Sequence, residues 1–559
     1  AIFGLTRHFT IFDRSDSKRA IKEAMSECSV DSKQFDPGTI LNMISRAKGD
    51  NISRLEYFDS TKSYMEELVV QVWEKYEIIL AREKALDFDD LLAKTAQILA
   101  KNEQVRSRYQ KIWKYIHVDE YQDTNRVQYQ IVKYLADDQK NICVVGDADQ
   151  NIYSWRGATI ENILHFEKDY PEATVIALEK NYRSTKTILA AANSVIEKNV
   201  LRKKKTLFTD NADGEKIALN ASYTELDEAR NIADTSRALI EGGTPARNIA
   251  VLYRANFQSR AIEEAFIKKN IPYQLVGVRF FERKEVKDVL SYIRAALNKE
   301  SWGDIGRVIN VPTRGIGKAT VAKIMMNKAE LLPPGMKIKI NSFWKLLDDI
   351  RTEITTKKPS EAVKFIIQES GMERMLMSGD AEDEERLLNI RELVSVAAQY
   401  DEFSNTTNFD STDVNSGPFL EQTTTAGIEK FLENAALASD QDDLVKDQDA
   451  VKLMTVHASK GLEFDHVFIA GMEQDLFPFK HIDDAGISPG EEEEERRLFY
   501  VALTRARNKV HLSHTIIRTV YGAQRVNIPS EFIDDIEKDL IEERLPEKPS
   551  GAKAIFIDF

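Results

Sequence analysis

The sequence predicts an α/β fold built from two parallel-sheet domains, each interrupted by a mainly helical insertion. Three observations carry this expectation. Short apolar runs such as Asn141-Ile142-Cys143-Val144-Val145 and Ile249-Ala250-Val251-Leu252 alternate with stretches of helical periodicity, as parallel strands covered on both faces do. The alternation lapses between about residues 280 and 440 and then resumes. The chain's 559 residues are too many for one hydrophobic core.

Residues 17–115 read as mostly helical, with apolar positions at helical spacing through Tyr64-Met65-Glu66-Glu67-Leu68-Val69-Val70-Gln71-Val72-Trp73. Buried strands are expected at Tyr115-Ile116-His117-Val118, at residues 141–145 and at Ala173-Thr174-Val175-Ile176-Ala177-Leu178. The pattern restarts near Ile217-Ala218-Leu219 and Ile249-Ala250-Val251-Leu252. Residues 404–426, rich in Ser, Thr, Asn and Gly, read as a flexible connection. Strand signals return at Val451-Lys452-Leu453-Met454-Thr455-Val456, His466-Val467-Phe468-Ile469 and Lys509-Val510-His511-Leu512. No short-period repeat is visible.

Composition narrows the function. The charge of −14 excludes a simple nucleic-acid coat protein, though not a machine that grips a polyanion in a narrow groove, where charge is local. The two cysteines, Cys28 and Cys143, speak against a disulfide scaffold and a zinc site and fit a reducing cytoplasm. No run of 18 apolar residues occurs, so no membrane-spanning helix is expected. The acidic run Glu491 to Glu495 reads as a solvated loop entering a helix start, where carboxylates suit the helix dipole.

Chemistry concentrates in strings that follow predicted strands. Asp119-Glu120-Tyr121-Gln122-Asp123 leaves the first strand at the end where open α/β sheets bind ligands. One carboxylate there can hold Mg²⁺ and its neighbour can activate water. A bare Asp-Glu pair is more often a capped turn, but the five-residue string is far more specific. Gly146-Asp147-Ala148-Asp149-Gln150 follows the next strand and runs on through Tyr153, Trp155 and Arg156. Gln150 can hydrogen-bond a phosphate, the aromatics offer faces for base stacking, and Arg156 offers a phosphate partner.

These strings, with those that follow them, resemble in order the motifs of the UvrD/PcrA/Rep-type superfamily-one DNA helicases. The similarity extends through Glu179-Lys180-Asn181-Tyr182-Arg183-Ser184-Thr185, through Val456-His457-Ala458-Ser459-Lys460-Gly461-Leu462-Glu463-Phe464, and through Glu495-Arg496-Arg497-Leu498-Phe499-Tyr500-Val501-Ala502-Leu503-Thr504-Arg505-Ala506. It covers roughly residues 7–535. It implies two RecA-like, P-loop NTPase-type domains, the first incomplete. Residues 1–86 would be the helical insertion of the first motor domain (1B-like) and 87–176 the remainder of that domain. Residues 177–278 and 442–540 would form the second, split by a helical insertion at 279–441 (2B-like), with a flexible tail at 541–559.

The resemblance also implies ATP and Mg²⁺ as cofactors. Asp119 would position the metal and Glu120 would be the base. Gln150, Arg183 and Arg505 would sense the γ-phosphate, Tyr182 would stack on adenine, and Glu463 would meet the ribose. For DNA contact it points to Tyr153, Trp155, Arg156, Arg254, Asn256 and His457, the last equally readable as a structural histidine. Gly315 and Gly317, in Val311-Pro312-Thr313-Arg314-Gly315-Ile316-Gly317, would approach duplex phosphates through their backbone. Arg496 and Arg497 are expected to pair with nearby acids. The implied activity is 3′→5′ translocation and unwinding at single-stranded DNA and single-strand/duplex junctions, in repair, replication or recombination.

One family signature is missing from these residues. The P-loop, Gly-x-x-x-x-Gly-Lys-[Ser/Thr], does not occur. The nearest string ends Gly317-Lys318-Ala319, with Pro312 at the position of its first glycine. The chain opens Ala1-Ile2-Phe3 and enters the family pattern inside the first insertion, so a truncated chain of little or no ATPase activity is expected. A second expectation follows from the same gap: an ATP-independent DNA-binding or adaptor protein derived from a helicase. A RecB-like nuclease-helicase subunit ranks below both, because no nuclease motif is appended.

Overall fold

The computed structural model describes residue 3 and residues 9–31, 34–326, 329–379, 381–404, 425–440, 449–480 and 488–545. Most of the connection expected at 404–426, and the tail from 546 onward, lie outside these. In chain order the strands are β1 (Thr10–Phe12), β2 (Ala85–Asp87), β3 (Ile116–Val118), β4 (Ile142–Val144), β5 (Ile217–Ser222), β6 (Ile249–Tyr253), β7 (Tyr273–Leu275), β8 (Val451–Thr455), β9 (Phe464–Ala470), β10 (Ala506–Thr515), β11 (Ile517–Val520), β12 (Ala523–Val526) and β13 (Ile541–Arg544).

Seven strands form one sheet in the order β13-β5-β10-β9-β6-β8-β7, and all its pairings are parallel. The near-continuous apolar sequence of these strands has a direct cause. Side chains alternate between faces, and both faces are covered. Ala250 and Leu252 of β6 join Met454, Val467, Ile469, Val510 and Leu512 beneath the helices Lys186–Ile196 and Pro489–Leu503. Ile249, Val251 and Tyr253 point the other way, onto Ile232, Ala233, Ile262 and Phe266 of helices Glu225–Glu241 and Ser259–Lys268. The edge strand β13 pairs Ile541–Arg544 with β5, so the first residues assigned to a tail are sheet. Their charged sequence, Ile-Glu-Glu-Arg, fits an exposed edge and hides the strand from a hydrophobicity reading.

The first sheet is smaller. Among the described residues β3 and β4 form a two-stranded parallel pair, with Val118, Ile142 and Val144 packed on Tyr121, Ile163, Phe166 and Tyr170. His117 and Cys143 are exposed, so cover on both faces does not hold here. The strand expected at 173–178 is likewise not formed. The segment is extended, but no neighbouring strand takes its hydrogen bonds, and Val175, Ile176 and Leu178 are exposed. Apolar β-branched sequence makes an extended chain and still needs a partner ladder to become a strand.

Two helical bodies complete the architecture. Near the N-terminus, helices Arg14–Glu27, Pro37–Gly49 and Tyr64–Glu83 bury Ile21, Ile44, Val69, Trp73 and Tyr76. Capping boxes at Ser53/Glu56 and Ser63/Glu66 start two of its helices. Buried Lys48 holds Asp87 of β2 at 2.7 Å and Asp90 at 3.0 Å. The second body lies between β7 and β8 and packs around Ile293, Phe343, Leu347, Ile366, Ile390 and Phe431. Its junction with the seven-stranded unit includes polar pairs: Arg260 to Glu392 at 2.7 Å and Asn256 to Glu385 at 2.8 Å.

The hairpin β11–β12 is fixed to the large sheet by a buried cluster. Arg518 donates to Glu473 at 2.6 and 2.8 Å and to Glu228 at 2.8 Å. Glu473 also accepts from Thr515 and Asn527. Removing the guanidinium leaves two carboxylates buried without their cation. Arg518→Ala is expected to lower stability by about 3–5 kcal/mol. Urea unfolding followed by circular dichroism checks this, and a loss under about 1 kcal/mol would show that water replaces the cation.

Candidate functional site

The segments after β3, β4, β6 and β8 leave the C-terminal ends of parallel strands. After β3 come Asp119 and Glu120, both exposed. Glu120 adopts the left-handed backbone (φ 48°), an uncommon state for a residue with a side chain. One oxygen of Asp119 accepts the N–H of Glu120 at 2.9 Å. Gln122, fully buried, donates to Glu120 at 2.6 Å and accepts from the backbone N–H of Asp147 at 2.9 Å. Gly146 is required by this arrangement, because a Cβ there would lie 2.6 Å from the Gln122 oxygen.

After β4 the second loop is arranged around Asp147. Its carboxylate accepts the amide of Gln150 at 2.9 Å and the backbone of Asp149 at 3.0 Å, and it pairs with Lys205. Arg202 grips buried Asp149 at 2.8 and 3.1 Å. The basic stretch Arg202 to Lys205 thus ties the segment after helix Lys186–Ile196 to this loop.

The loop continues into an aromatic group. Trp155 is 56% exposed, with the Arg156 guanidinium 4.5 Å from its ring centroid. Tyr153, Trp155 and His457 lie within 6.4–6.5 Å of one another, and the Tyr153 hydroxyl donates to the His457 carbonyl at 3.3 Å. Residues predicted from separate strings therefore meet. Lys460, which the sequence reading did not single out, joins them. Its ammonium lies 2.5 Å from Asp123, 2.8 Å from the Gln150 carbonyl, 3.8 Å from Glu120 and 5.1 Å from the Tyr153 ring centroid. Burial raises the Asp123 carboxyl, and Lys460 opposes that rise.

Around an open cavity of about 570 Å³ stand Lys180, Asn181, Tyr182, Arg183, Glu463 and Arg507. Tyr182 is 79% exposed. Arg183 donates to Glu463 at 2.5 Å and to the Thr504 carbonyl at 3.0 Å. Arg505 is buried, donates to the carbonyls of Val501 and Leu462, and is pushed down to about 10 by burial and then by Arg183. Arg183 and Arg507 share the Glu463 carboxylate, and the Arg505 guanidinium is close to Arg183.

Other predicted residues are placed differently. Arg254 lies over the Phe479 ring at 4.8 Å and makes a two-pronged pair with Glu495 at 2.7–3.0 Å. Asn256 donates to Glu385 at 2.8 Å. Gly315 (φ 70°) and Gly317 sit on an exposed turn of the helical insertion. Buried Ile316 and Arg314, whose guanidinium donates to the Ser370 carbonyl at 2.9 Å, anchor that turn.

The acidic run is not a solvated stretch. Glu491 does cap the helix Pro489–Leu503, as expected of a helix start. But Glu493 accepts the backbone of Val200 at 2.8 Å, Glu494 accepts that of Ser154 at 3.0 Å, and Glu495 holds Arg254 and the Phe479 N–H. Tertiary donors had claimed these carboxylates, and no local pattern reveals that. Arg496 pairs as expected with Asp535 and Glu492, and Arg497 with Glu493 at 3.6 Å while it also donates to the Asn151 carbonyl.

Comparison with known proteins gives the family. The family profile described as the UvrD-like helicase C-terminal domain matches residues 176–516, and that of the UvrD/REP helicase N-terminal domain matches residues 1–171. The chain belongs to the UvrD-like helicases. The ATP-dependent DNA helicase PcrA of Staphylococcus aureus (strain Mu50) is 40% identical over 96% of this chain and 74% of its own length. That of Staphylococcus epidermidis (strain ATCC 12228) is 40% identical over 98% of this chain and 74% of its own. Among the described residues no helix is long and apolar enough to cross a membrane.

Among the described residues of the UvrD-like core, His511 is buried and His457 is half-buried. Burial pushes His457 down to about 3, aided by Arg254 and Arg156. Burial likewise pushes His511 down to about 3, with help from His466, Lys509 and Arg544. In the unfolded chain each takes a proton near 6.5. The folded pKa is the lower one, so stability is full above about 6.5 and falls as pH drops from there toward 3. His457→Asn should flatten the decline by about 1.4 kcal/mol per pH unit. Unfolding curves from pH 7 to 4.5 measure this, and equal slopes in the two proteins would place a protonated His457 in the fold.

Proposed function

We propose that the protein is an ATP-driven 3′→5′ translocase and helicase on single-stranded DNA, acting in repair, replication or recombination. One observation carries the reading: motif residues from three separate strings converge on two adjoining surfaces. One is the carboxylate and cation surface of Asp119, Glu120, Gln150 and Lys460. The other is the aromatic surface of Tyr153, Trp155, Arg156 and His457.

The residues suit the groups the reading requires. Asp119 is exposed, and the backbone contact made by one of its oxygens leaves the other available to Mg²⁺, which would neutralise phosphate charge. Glu120 would accept the proton of the attacking water while Gln122 holds its carboxylate. Tyr182 presents an open face to adenine, and Glu463 has acceptors for the ribose. Arg183 would exchange Glu463 for phosphate, and Gln150 would exchange Asp147 for it. Arg505 would add positive charge from the second domain.

On the nucleic-acid surface Trp155 and Tyr153 would stack on bases, and Arg156 would meet backbone phosphate. Arg254 would contribute by holding Phe479 and Glu495 in place, and Asn256 would contact DNA on leaving Glu385. The turn at Gly315 and Gly317 would meet duplex phosphates at a junction. The same family pattern divides the chain at 1–86, 87–176, 177–278, 279–441 and 442–540.

Residues 1–559 contain no P-loop string. By themselves they are expected to hydrolyse ATP no faster than background, while binding single-stranded DNA with an affinity that falls as salt rises. Joined to a P-loop-bearing N-terminal segment, they should become a DNA-stimulated ATPase, with Glu120→Gln abolishing turnover and sparing ATP binding. ATPase assays with both proteins decide this. Turnover in the Glu120→Gln variant would remove Glu120 from its role.

Trp155→Ala should melt as the parent does, because the ring is more than half exposed, and should weaken oligonucleotide binding by about 1–3 kcal/mol. Fluorescence titration checks it. An unfolded variant together with a parent Trp155 blind to DNA would make this ring a packing residue.

A further inference from the structure

The cavity contains a residue that the reading above does not use. Arg507 follows the helix Pro489–Leu503 at the start of β10 and lines the same wall as Tyr182, Arg183 and Glu463. Its guanidinium pairs with one oxygen of Glu463, while Arg183 holds the other at 2.5 Å. On its far side it lies 3.6 Å from Asp465, whose second oxygen accepts from Asn248 at 2.8 Å. Its backbone carbonyl accepts the N–H of Thr185 at 3.2 Å, fastening this corner to the loop that carries Tyr182 and Arg183.

The two arginines are not equivalent. Arg183 also binds the Thr504 carbonyl and sits beside Arg505, whose charge opposes its own. An incoming polyanion draws such a side chain away. Arg507 is held from behind by Asp465 and has no guanidinium competing for the same position. When Arg183 leaves, one oxygen of Glu463 is freed and the other stays fixed. The freed oxygen faces a cavity that the exposed ring of Tyr182 also lines. A carboxylate beside an aromatic plate suits a sugar hydroxyl of a nucleotide whose base lies on that plate.

We propose that Arg507 is a positioning residue that holds Glu463 toward the sugar hydroxyls of the bound nucleotide, making the site selective for nucleotides that carry them. The inference rests on the nucleotide reading of this cavity. It separates the two arginines: Arg183 serves phosphate, and Arg507 serves sugar recognition without touching the nucleotide. Both ion pairs lower the Glu463 carboxyl, that with Arg507 most. Glu463 therefore remains ionised, and a strong acceptor, at neutral pH.

Saturation-transfer NMR on the 559-residue chain tests this without turnover and tolerates weak binding. The probes are ATP and 2′,3′-dideoxyATP at millimolar concentration. The parent protein should transfer saturation to the adenine protons of both and should prefer ATP about tenfold, the size of one hydrogen bond to a charged acceptor. Arg507→Met should keep the adenine signal and bring the two affinities within about twofold, and Arg507→Lys should retain most of the preference. The Arg507 side chain is 42% exposed, so melting curves should change little. A tenfold preference surviving in Arg507→Met overturns the proposal and leaves the nucleotide reading standing. Loss of adenine and sugar signals together in a folded Arg507→Met also overturns it, by making Arg507 a general binding group. No transfer to adenine in the parent protein removes the nucleotide reading and this inference with it.

Discussion

Parallel strand pairing determines where the chemistry sits. A parallel sheet needs a crossover between neighbouring strands, so every strand delivers its next loop to the same edge. Asp119 and Glu120 leave β3, the Gly146–Gln150 loop leaves β4, Arg254 and Asn256 leave β6, and His457 and Lys460 leave β8. These residues are far apart in sequence, and Tyr153 and His457 meet across 304 positions. The burial that stabilises β6 and β8 on both faces also stiffens the bases of these loops.

Charge is the second constraint. The chain is acidic overall, yet its site gathers cations: Arg156, Arg183, Lys460, Arg505 and Arg507. Such a cluster is costly without counter-charge, and carboxylates supply it. Glu463 serves Arg183 and Arg507, Glu495 serves Arg254, and Asp123 serves Lys460. The pairs at Glu463 are partly exposed and add little to stability, and their value lies in exchange. A phosphate can replace a carboxylate at a guanidinium with little change in the hydrogen-bond count, so a ligand meets cations already in place.

Much of this was legible in the sequence, and the reasons differ by element. β6 and β8 could be read because both faces are buried and the strings are almost wholly apolar. The loops after β3 and β4 could be read because their side chains are chemically specific and follow strands directly. What escaped depends on distant partners. Arg254 looks free beside β6, and only folding brings Glu495 to it across 241 positions. The run Glu491 to Glu495 has the composition of a solvated stretch, yet donors from Val200 and Ser154 occupy it. Residues 173–178 have strand chemistry and lack a neighbour, while β13 has a neighbour and lacks strand chemistry. Lys460 was within a recognised string, but its contact with Asp123 on the other α/β unit cannot be inferred from spacing.

Lys460 also shows how the two surfaces can influence each other. One ammonium touches Asp123, the Gln150 carbonyl and the Tyr153 face. A cation brought to Asp119 or Glu120 would repel it, and a phosphate brought to Gln150 would attract it. Either change alters its attraction to the Tyr153 ring, and Tyr153 in turn donates to the His457 carbonyl beside Trp155. On the proposed reading the aromatic surface would respond to charge at the carboxylates through one side chain, over distances short enough that salt screens little of the interaction. A ligand shifts such an arrangement only by as much as it binds one state better than the other. Lys460 provides that difference, because it cannot hold Asp123 and yield to a second cation at once.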